Sequence, residues 1–241
     1  MRVIYEQSAP DLARTAADWI AAHLRAKPNA SMALPTGNTP LGLYAELIRR
    51  SQAGVVDLSA ATLFNLDEYC GLAAADIHSY AAFLHRHLIA PLGLSTAHVR
   101  LLRGDAADTD TECRAYDAAI GARGGIDLCI LGLGTNGHIA FNEPGAAWDQ
   151  RTHRVELSAA TRNTHARQAG APEEIPAFGL TMGIRTILEA RHILLLIAGS
   201  NKKAARQALH RGEPDRTWPV TSLLSHPSVT AIELCESAAS P

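Results

Sequence analysis

The sequence predicts an α/β protein built on a mainly parallel sheet with helices on both faces, a modified Rossmann-like arrangement. Three observations carry this. Short apolar runs alternate with segments whose apolar residues recur near helical spacing, the pattern of β-α units. Runs such as Leu128-Cys129-Ile130-Leu131 and Ile193-Leu194-Leu195-Leu196-Ile197 are apolar at every position, as expected of strands covered on both sides. The chain has 241 residues, 47% hydrophobic and 19% charged, which suffices for a sizeable core.

The elements follow in order. The opening MRVIYEQSAPDLARTAADWIAAHL has no unbroken apolar stretch before its acidic residues. It reads as a strand, Arg2–Tyr5, and a helix, Asp11–Ala26, and not as a signal peptide. Ser31–Leu34 is a short buried strand, and Leu41–Ser51 returns to helical spacing. Thr62–Leu66 is a strand, Ser79–Leu92 a helix, Val99–Leu102 a strand and Asp108–Ala122 a helix. Ile126–Leu131 and Arg154–Leu157 are strands. Asn163–Phe178, "NTHARQAGAPEEIPAF", has weak periodicity, a Gly and two Pro, and reads as a long loop and candidate lid. Thr181–Glu189 is a helix, His192–Ala198 a strand, Lys202–Arg211 a helix and Val229–Leu234 a strand. With no repeat, low-complexity tract or linker, a single domain over residues 1–241 is expected.

Composition removes some partners. The net charge is −2 with no long basic run, which argues against nucleic acid. No apolar stretch is long enough to span a bilayer. The cysteines at 70, 113, 129 and 235 form no Cys-x-x-Cys pair. They suit reduced, buried thiols in a cytoplasmic setting better than disulfides or zinc.

In such sheets the functional crevice lies outside the carboxyl ends of the strands, and three strand ends carry chemistry. The first is LPTGNTP, Leu34–Pro40. Thr39 suits an N-cap and Pro40 the first helical position. With Thr36, Gly37 and Asn38, the turn offers backbone N–H groups to an anion such as a phosphate. A capped helix with nothing bound is the alternative. The second is FNLDEY, where a strand ends in two acids. One of them, Asp67 or Glu68, can face the crevice and take a proton from carbon next to a carbonyl, given a tuned pKa. A solvated acidic turn is the alternative. The third is GLGTNGHIAFNEPG, residues 132–145. Gly132, Gly134 and Gly137 let the backbone turn sharply, presenting His138 with Glu143 shortly after it. An imidazole near a carboxylate makes a proton-transfer pair.

In this order and spacing, "LPTGNTP", "FNLDEYCGL" and "GLGTNGHIAFNEPG" resemble the glucosamine-6-phosphate deaminases, also called glucosamine-6-phosphate isomerases, over nearly the whole chain. The 6-phosphogluconolactonases keep the Gly-His but lack the Phe-Asn-Glu-Pro run. The resemblance implies the sugar-phosphate isomerase/deaminase fold. It also implies conversion of glucosamine 6-phosphate and water into fructose 6-phosphate and ammonia, in amino-sugar catabolism. No metal or cofactor is implied. The partner is a small sugar phosphate, not nucleic acid or membrane, and the chain works as a monomer or homo-oligomer. Asp67 looks like the acid/base between C2 and C1, and His138 like the ring-opening group. Asn136 and Glu143 look like its supporting partners in the catalytic set. Thr36, Gly37, Asn38 and Thr39 match the phosphate turn. Arg167, in TRNTHAR, and Lys202, in AGSNKKA, match the family's phosphate cations.

Two departures matter. Many members carry Asp where this chain has Asn136, so the charged support of His138 falls on Glu143 and the pH profile changes. His153-Arg154-Val155 stands where allosteric members have Arg-x-Lys, which points to the short, non-allosteric bacterial type. The alternatives are a galactosamine-6-phosphate deaminase and a non-catalytic sugar-phosphate sensor. The latter would need a DNA-binding helix-turn-helix, for which the sequence shows no spare segment.

Overall fold

The computed structural model describes residues 1–169 and 175–235. In chain order the elements are β1 (Arg2–Glu6), α1 (Ala9–Ala26), β2 (Ser31–Leu34), α2 (Leu41–Gln52), β3 (Thr62–Asn65), β4 (Asp67–Tyr69) and α3 (Tyr80–Leu84). Then come β5 (Val99–Arg100), α4 (Thr109–Ala122), β6 (Leu128–Gly132), β7 (His153–Glu156) and α5 (Ala159–Ala169). The last are β8 (Phe178–Thr181), α6 (Ile184–Leu188), β9 (His192–Ile197), α7 (Lys203–His210) and β10 (Val229–Leu234).

Seven strands form a parallel sheet in the order β1-β10-β9-β6-β2-β3-β5. From β2 the chain winds outward through β3 to β5. From β6 it winds the other way through β9 to β10. The winding therefore reverses between β2 and β6, and an open α/β sheet has its crevice at such a reversal.

Alternate side chains of each strand feed two cores. Met32, Leu34, Leu128 and Ile130 meet α1 and α2 on one face. Ala33, Cys129, Leu131 and Leu195 meet α4, α6 and α7 on the other. Both faces are covered, as the unbroken apolar runs require. Each fully buried Leu or Ile contributes about 1.5–3 kcal/mol of burial free energy. Among the described residues no helix is long and apolar enough to cross a membrane. Of the four free cysteines, Cys113 and Cys129 are buried as expected, while Cys70 and Cys235 are only half-buried.

The structure adds a small antiparallel sheet, β4-β8-β7, that the sequence did not suggest. The strand expected over Thr62–Leu66 stops at Asn65, and the cause is the Asn65 side chain. Its Nδ2 donates to the carbonyl of Asp67 at 2.7 Å, and its Oδ1 accepts from Leu102 N–H at 2.8 Å. The Tyr116 hydroxyl donates to its carbonyl at 2.6 Å. Asn65 thereby replaces ladder bonds where the chain steps out of the large sheet. Leu102 is drawn out of β5 by the same contact, which shortens that strand.

Other expectations change as well. Arg154–Leu157 pairs in the small sheet rather than the large one. The helix expected over Ser79–Leu92 is α3 followed by a wider π-helical turn, His85–Ile89, that brings Leu84, Leu88 and Ile89 together into the core. The helix expected from Thr181 starts at Ile184, because Thr181 pairs with Asp67 and His153 in the small sheet. The expected long loop over Asn163–Phe178 is helical in its first part, where α5 runs to Ala169, and Phe178 opens β8. Its residues 170–174 lie outside the described residues.

Candidate active site

A cavity of about 300 Å³ opens at the carboxyl ends of β2 and β6, at the winding reversal. All three strand-end motifs reach it. Its lining includes Thr36, Gly37, Asn38 and Thr39 from the first motif, Asp67 from the second, Gly134, Asn136 and His138 from the third, and Lys202.

Of the two acids in FNLDEY, Asp67 faces the cavity. Pairing of β4 with β8 sets Asp67 opposite Thr181 and turns Glu68 the other way. Glu68 accepts the N–H groups of Tyr69, Tyr80 and Ala81 at 2.8, 2.9 and 2.8 Å, holding the start of α3. Burial pushes Glu68 up to about 7, against the downward pull of those three donors. Asp67 is only 6% exposed, and among the described residues no donor reaches its carboxyl. Burial, and secondarily the neighbouring Glu68, raise its pKa well above the usual carboxylate range. A desolvated carboxylate with no hydrogen bonds to weaken it is a strong base.

His138 is set by the tight turn between β6 and Phe141. The N–H of Gly134 donates to the His138 carbonyl at 2.9 Å, and that of Gly137 to the Gly134 carbonyl at 3.1 Å. Gly137 takes φ +83°, and its missing side chain leaves room for Trp218, which would lie 2.8 Å from an added Cβ. Gly134 lies directly under the imidazole, so a Cβ there would overlap the ring itself.

His138 and Glu143 are joined through Asn136. Asn136 Nδ2 donates to Glu143 Oε2 at 2.8 Å, so its Oδ1 faces His138 and accepts from ring Nδ1–H at 2.7 Å. The same Oδ1 accepts the His138 backbone N–H at 3.2 Å. The imidazole is thus fixed with its proton on Nδ1, leaving Nε2 as the basic nitrogen. Glu143 therefore supports His138 through Asn136. The acid does not line the cavity, and its charge reaches the ring through the Asn136 amide. Glu143 Oε1 in turn accepts the Thr161 hydroxyl and, at 3.3 Å, that of Ser158.

In the phosphate turn, Gly37 takes φ +92°. Thr39 does not cap α2 as expected. Pro40 occupies the cap position without a side-chain bond, since its ring already holds φ near −79°. Lys202 is half-buried, and burial lowers the pKa of its ammonium. Among the described residues no carboxylate pairs with it. An anion entering the cavity would meet an under-solvated cation, a favourable arrangement for phosphate. Arg167 sits on α5, but its side chain lies outside those described.

Sequence reading missed several lining groups. Asn201 adjoins Lys202, a neighbourhood that was a usable signal, whereas Thr164 and Tyr80 carried none. Ala140 also lines the wall, at φ +51°, the single non-glycine with positive φ among the described residues. Its turn is closed by Asn142, whose backbone N–H donates to Ile139 O at 3.1 Å and whose Nδ2 donates to Met182 O at 2.8 Å.

A family profile described as glucosamine-6-phosphate isomerases/6-phosphogluconolactonase matches residues 5–231. Glucosamine-6-phosphate deaminase of Lysinibacillus sphaericus (strain C3-41) is 40% identical over 232 residues, 96% of this chain and 98% of the relative. Glucosamine-6-phosphate deaminase 2 of Bacillus subtilis (strain 168) is 39% identical over 96% of this chain and 94% of its own. A solved structure described as a monomeric glucosamine-6-phosphate deaminase superposes with a TM-score of 0.95 at 37% identity, covering 99% of each chain. The 6-phosphogluconolactonase of Trypanosoma cruzi, at 20% identity and a TM-score of 0.79, shares the fold.

Proposed function

We infer the reaction from one premise: this chain belongs to the family of glucosamine-6-phosphate isomerases and 6-phosphogluconolactonases. It converts glucosamine 6-phosphate and water into fructose 6-phosphate and ammonia. The observation that carries this reading is one cavity holding a buried carboxyl, Asp67, with no hydrogen-bond donor among the described residues, beside an imidazole of fixed tautomer, His138. These are the two proton-transfer groups that a combined ring opening and aldose-ketose shift needs.

The steps follow from those groups. His138 Nε2 takes the proton of the anomeric hydroxyl and returns one to the ring oxygen, giving an aldehyde at C1 and an ammonium at C2. Asp67 removes the C2 proton, and its electron pair forms the C1=C2 bond. The C1 oxygen is protonated at the expense of the ammonium, giving an enolamine. Asp67 then delivers its proton to C1, leaving an iminium at C2. Water adds to that carbon and ammonia leaves. The net change consumes one water, so the deamination is formally hydrolytic while the carbon chemistry is an isomerisation. Lys202 and the Thr36–Thr39 turn hold the phosphate, whose binding places C1 and C2 over the reacting groups. A solved relative at 37% identity is described as monomeric, which supports a monomer as the working unit.

The test is ammonia release from glucosamine 6-phosphate, with galactosamine 6-phosphate as comparison. Rates are expected to be hyperbolic in the first substrate and unaffected by N-acetylglucosamine 6-phosphate, since His153 and Val155 offer no Arg-x-Lys pair. Absence of ammonia from a folded protein would overturn the reading. Lys202→Ala is expected to raise KM about 10- to 150-fold with little change in kcat, the worth of one charge-assisted contact. Steady-state kinetics on that variant measures the split, and an unchanged KM would remove Lys202 from the phosphate site.

A further inference from the structure

We propose that Thr161 is a positioning residue for the proton relay. Its hydroxyl, with that of Ser158, orients the Glu143 carboxylate through which Asn136 fixes His138, so that helix α5 sets the tautomer of the ring-opening imidazole.

The contacts form a continuous chain. Thr161 is 4% exposed, and its hydroxyl donates to Glu143 Oε1. Ser158 Oγ donates to the same oxygen at 3.3 Å and accepts the backbone N–H of Thr161 at 3.1 Å, closing the first turn of α5. With Oε1 held from α5, the other oxygen, Oε2, faces the Asn136 amide. An Asn side chain has a donor end and an acceptor end. Its orientation here is set from both ends: Glu143 accepts only, so Nδ2 turns to it at 2.8 Å, and the His138 backbone N–H donates to Oδ1 at the longer distance of 3.2 Å, so Oδ1 turns to the ring. The carboxylate's rotation therefore helps set the amide, and the amide sets which imidazole nitrogen carries the proton. With the carboxylate rotated away from Asn136, only the 3.2 Å contact from the His138 backbone N–H holds the amide, and in part of the population the amide flips. It would then donate to Nδ1, moving the ring proton to Nε2, the nitrogen that must act as base.

Helix α5 also faces the cavity. Thr164, one turn beyond Thr161, lines the cavity. Apolar anchoring of α5 includes Ala166, which packs near Tyr69, Phe141 and Leu157. The two hydroxyl contacts to Glu143 consequently weigh heavily in where its N-terminus sits.

The role in ring opening rests on the deaminase reading, whereas the control of the tautomer does not, and the experiment separates them. The ¹⁵N resonances of the His138 ring in labelled protein report the tautomer without substrate. Wild type and Thr161→Ser are expected to show the proton on Nδ1, and Thr161→Val a mixture of both forms. In ammonia-release kinetics Thr161→Val is expected to lose about 10- to 100-fold in kcat with KM nearly unchanged, and Thr161→Ser to recover most of it. A folded Thr161→Val that keeps the Nδ1–H form overturns the proposal, whatever its rate. If that variant does not fold, the Ser158→Ala/Thr161→Ala double variant is read in the same way, and retention of the Nδ1–H form there overturns it too. An inert wild type would sink the deaminase reading and leave the resonance experiment decisive for Thr161.

Discussion

Asp67→Asn is expected to lower turnover by about 100- to 10,000-fold, the usual contribution of a general acid/base group. Sugar-phosphate binding should remain close to normal. Asparagine fills the same volume at the end of the same strand, but it cannot accept a proton from C2. Stopped-time ammonia assays and equilibrium binding of the substrate measure the two effects separately, and a folded variant with near-normal turnover would remove Asp67 from the mechanism. The wild-type pH profile carries a second signature. Burial raises the Asp67 pKa, so the carboxylate form needed for C2 deprotonation appears only as pH rises through that elevated value. The acid limb of kcat/KM should therefore lie above the ordinary carboxylate range. Stability should move the opposite way. A folded-state pKa above the unfolded one means that the folded protein binds the proton more tightly, so this group's contribution falls as pH rises between the two values. Above that window Asp67→Asn should melt no lower than wild type, because it removes a buried charge that has no partner among the described residues.

Gly134→Ala should be nearly as damaging through a different cause. The added methyl would occupy space taken by the His138 ring, which lies across the Gly134 Cα. The tight turn from Gly134 to His138 offers little slack, since its two N–H groups are committed to the carbonyls of His138 and Gly134. The imidazole must tilt away, breaking its 2.7 Å bond to Asn136. A displacement of about 1 Å at a reacting group can cost about 100-fold, and a loss of that size in kcat is expected with the phosphate contacts intact. Full activity in Gly134→Ala would show that the ring does not work in the position described.

Much of this was legible in the sequence because the signals were local. Strands apolar at every position can only be buried on both faces, so Leu128–Leu131 and Ile193–Ile197 announced a covered parallel sheet, as found. The three strand-end motifs also announced themselves, since glycines, prolines and paired acids break apolar periodicity. What stayed hidden depends on tertiary pairing. Phe178–Thr181 becomes a strand only because Asp67–Tyr69 and His153–Glu156 lie beside it, and four residues containing a glycine have no strand signature of their own. Helix α5 was lost within an apparent loop because its residues Ala159–Ala169 are mostly polar, and it docks in part through hydroxyls on Glu143. The residue pattern by itself left Asp67 and Glu68 open, the family resemblance pointed to Asp67, and the β4–β8 register turns Asp67 and Glu68 to opposite sides. Asn136 was expected as a supporting partner of His138 and as a departure from Asp, but its place between ring and acid needed coordinates.

The step at Asn65 has a consequence for how this site can diversify. The carboxyl that works on carbon is mounted on the small sheet, and the imidazole that works on the ring oxygen is mounted on the large one. Their scaffolds meet at the Asn65 clamp and at the Met182 N–H, which donates to Leu66 O at 2.7 Å. Substitutions confined to residues 67–72 or to β8 can change, move or delete the acid while the imidazole keeps its Asn136 and Glu143 partners. Changes within 132–143 can do the converse. The site is thus modular: two half-reactions can be inherited or discarded independently, provided the joint between the sheets is kept. Asn65, buried and bonded to the Asp67 backbone carbonyl, is the residue on which that freedom depends.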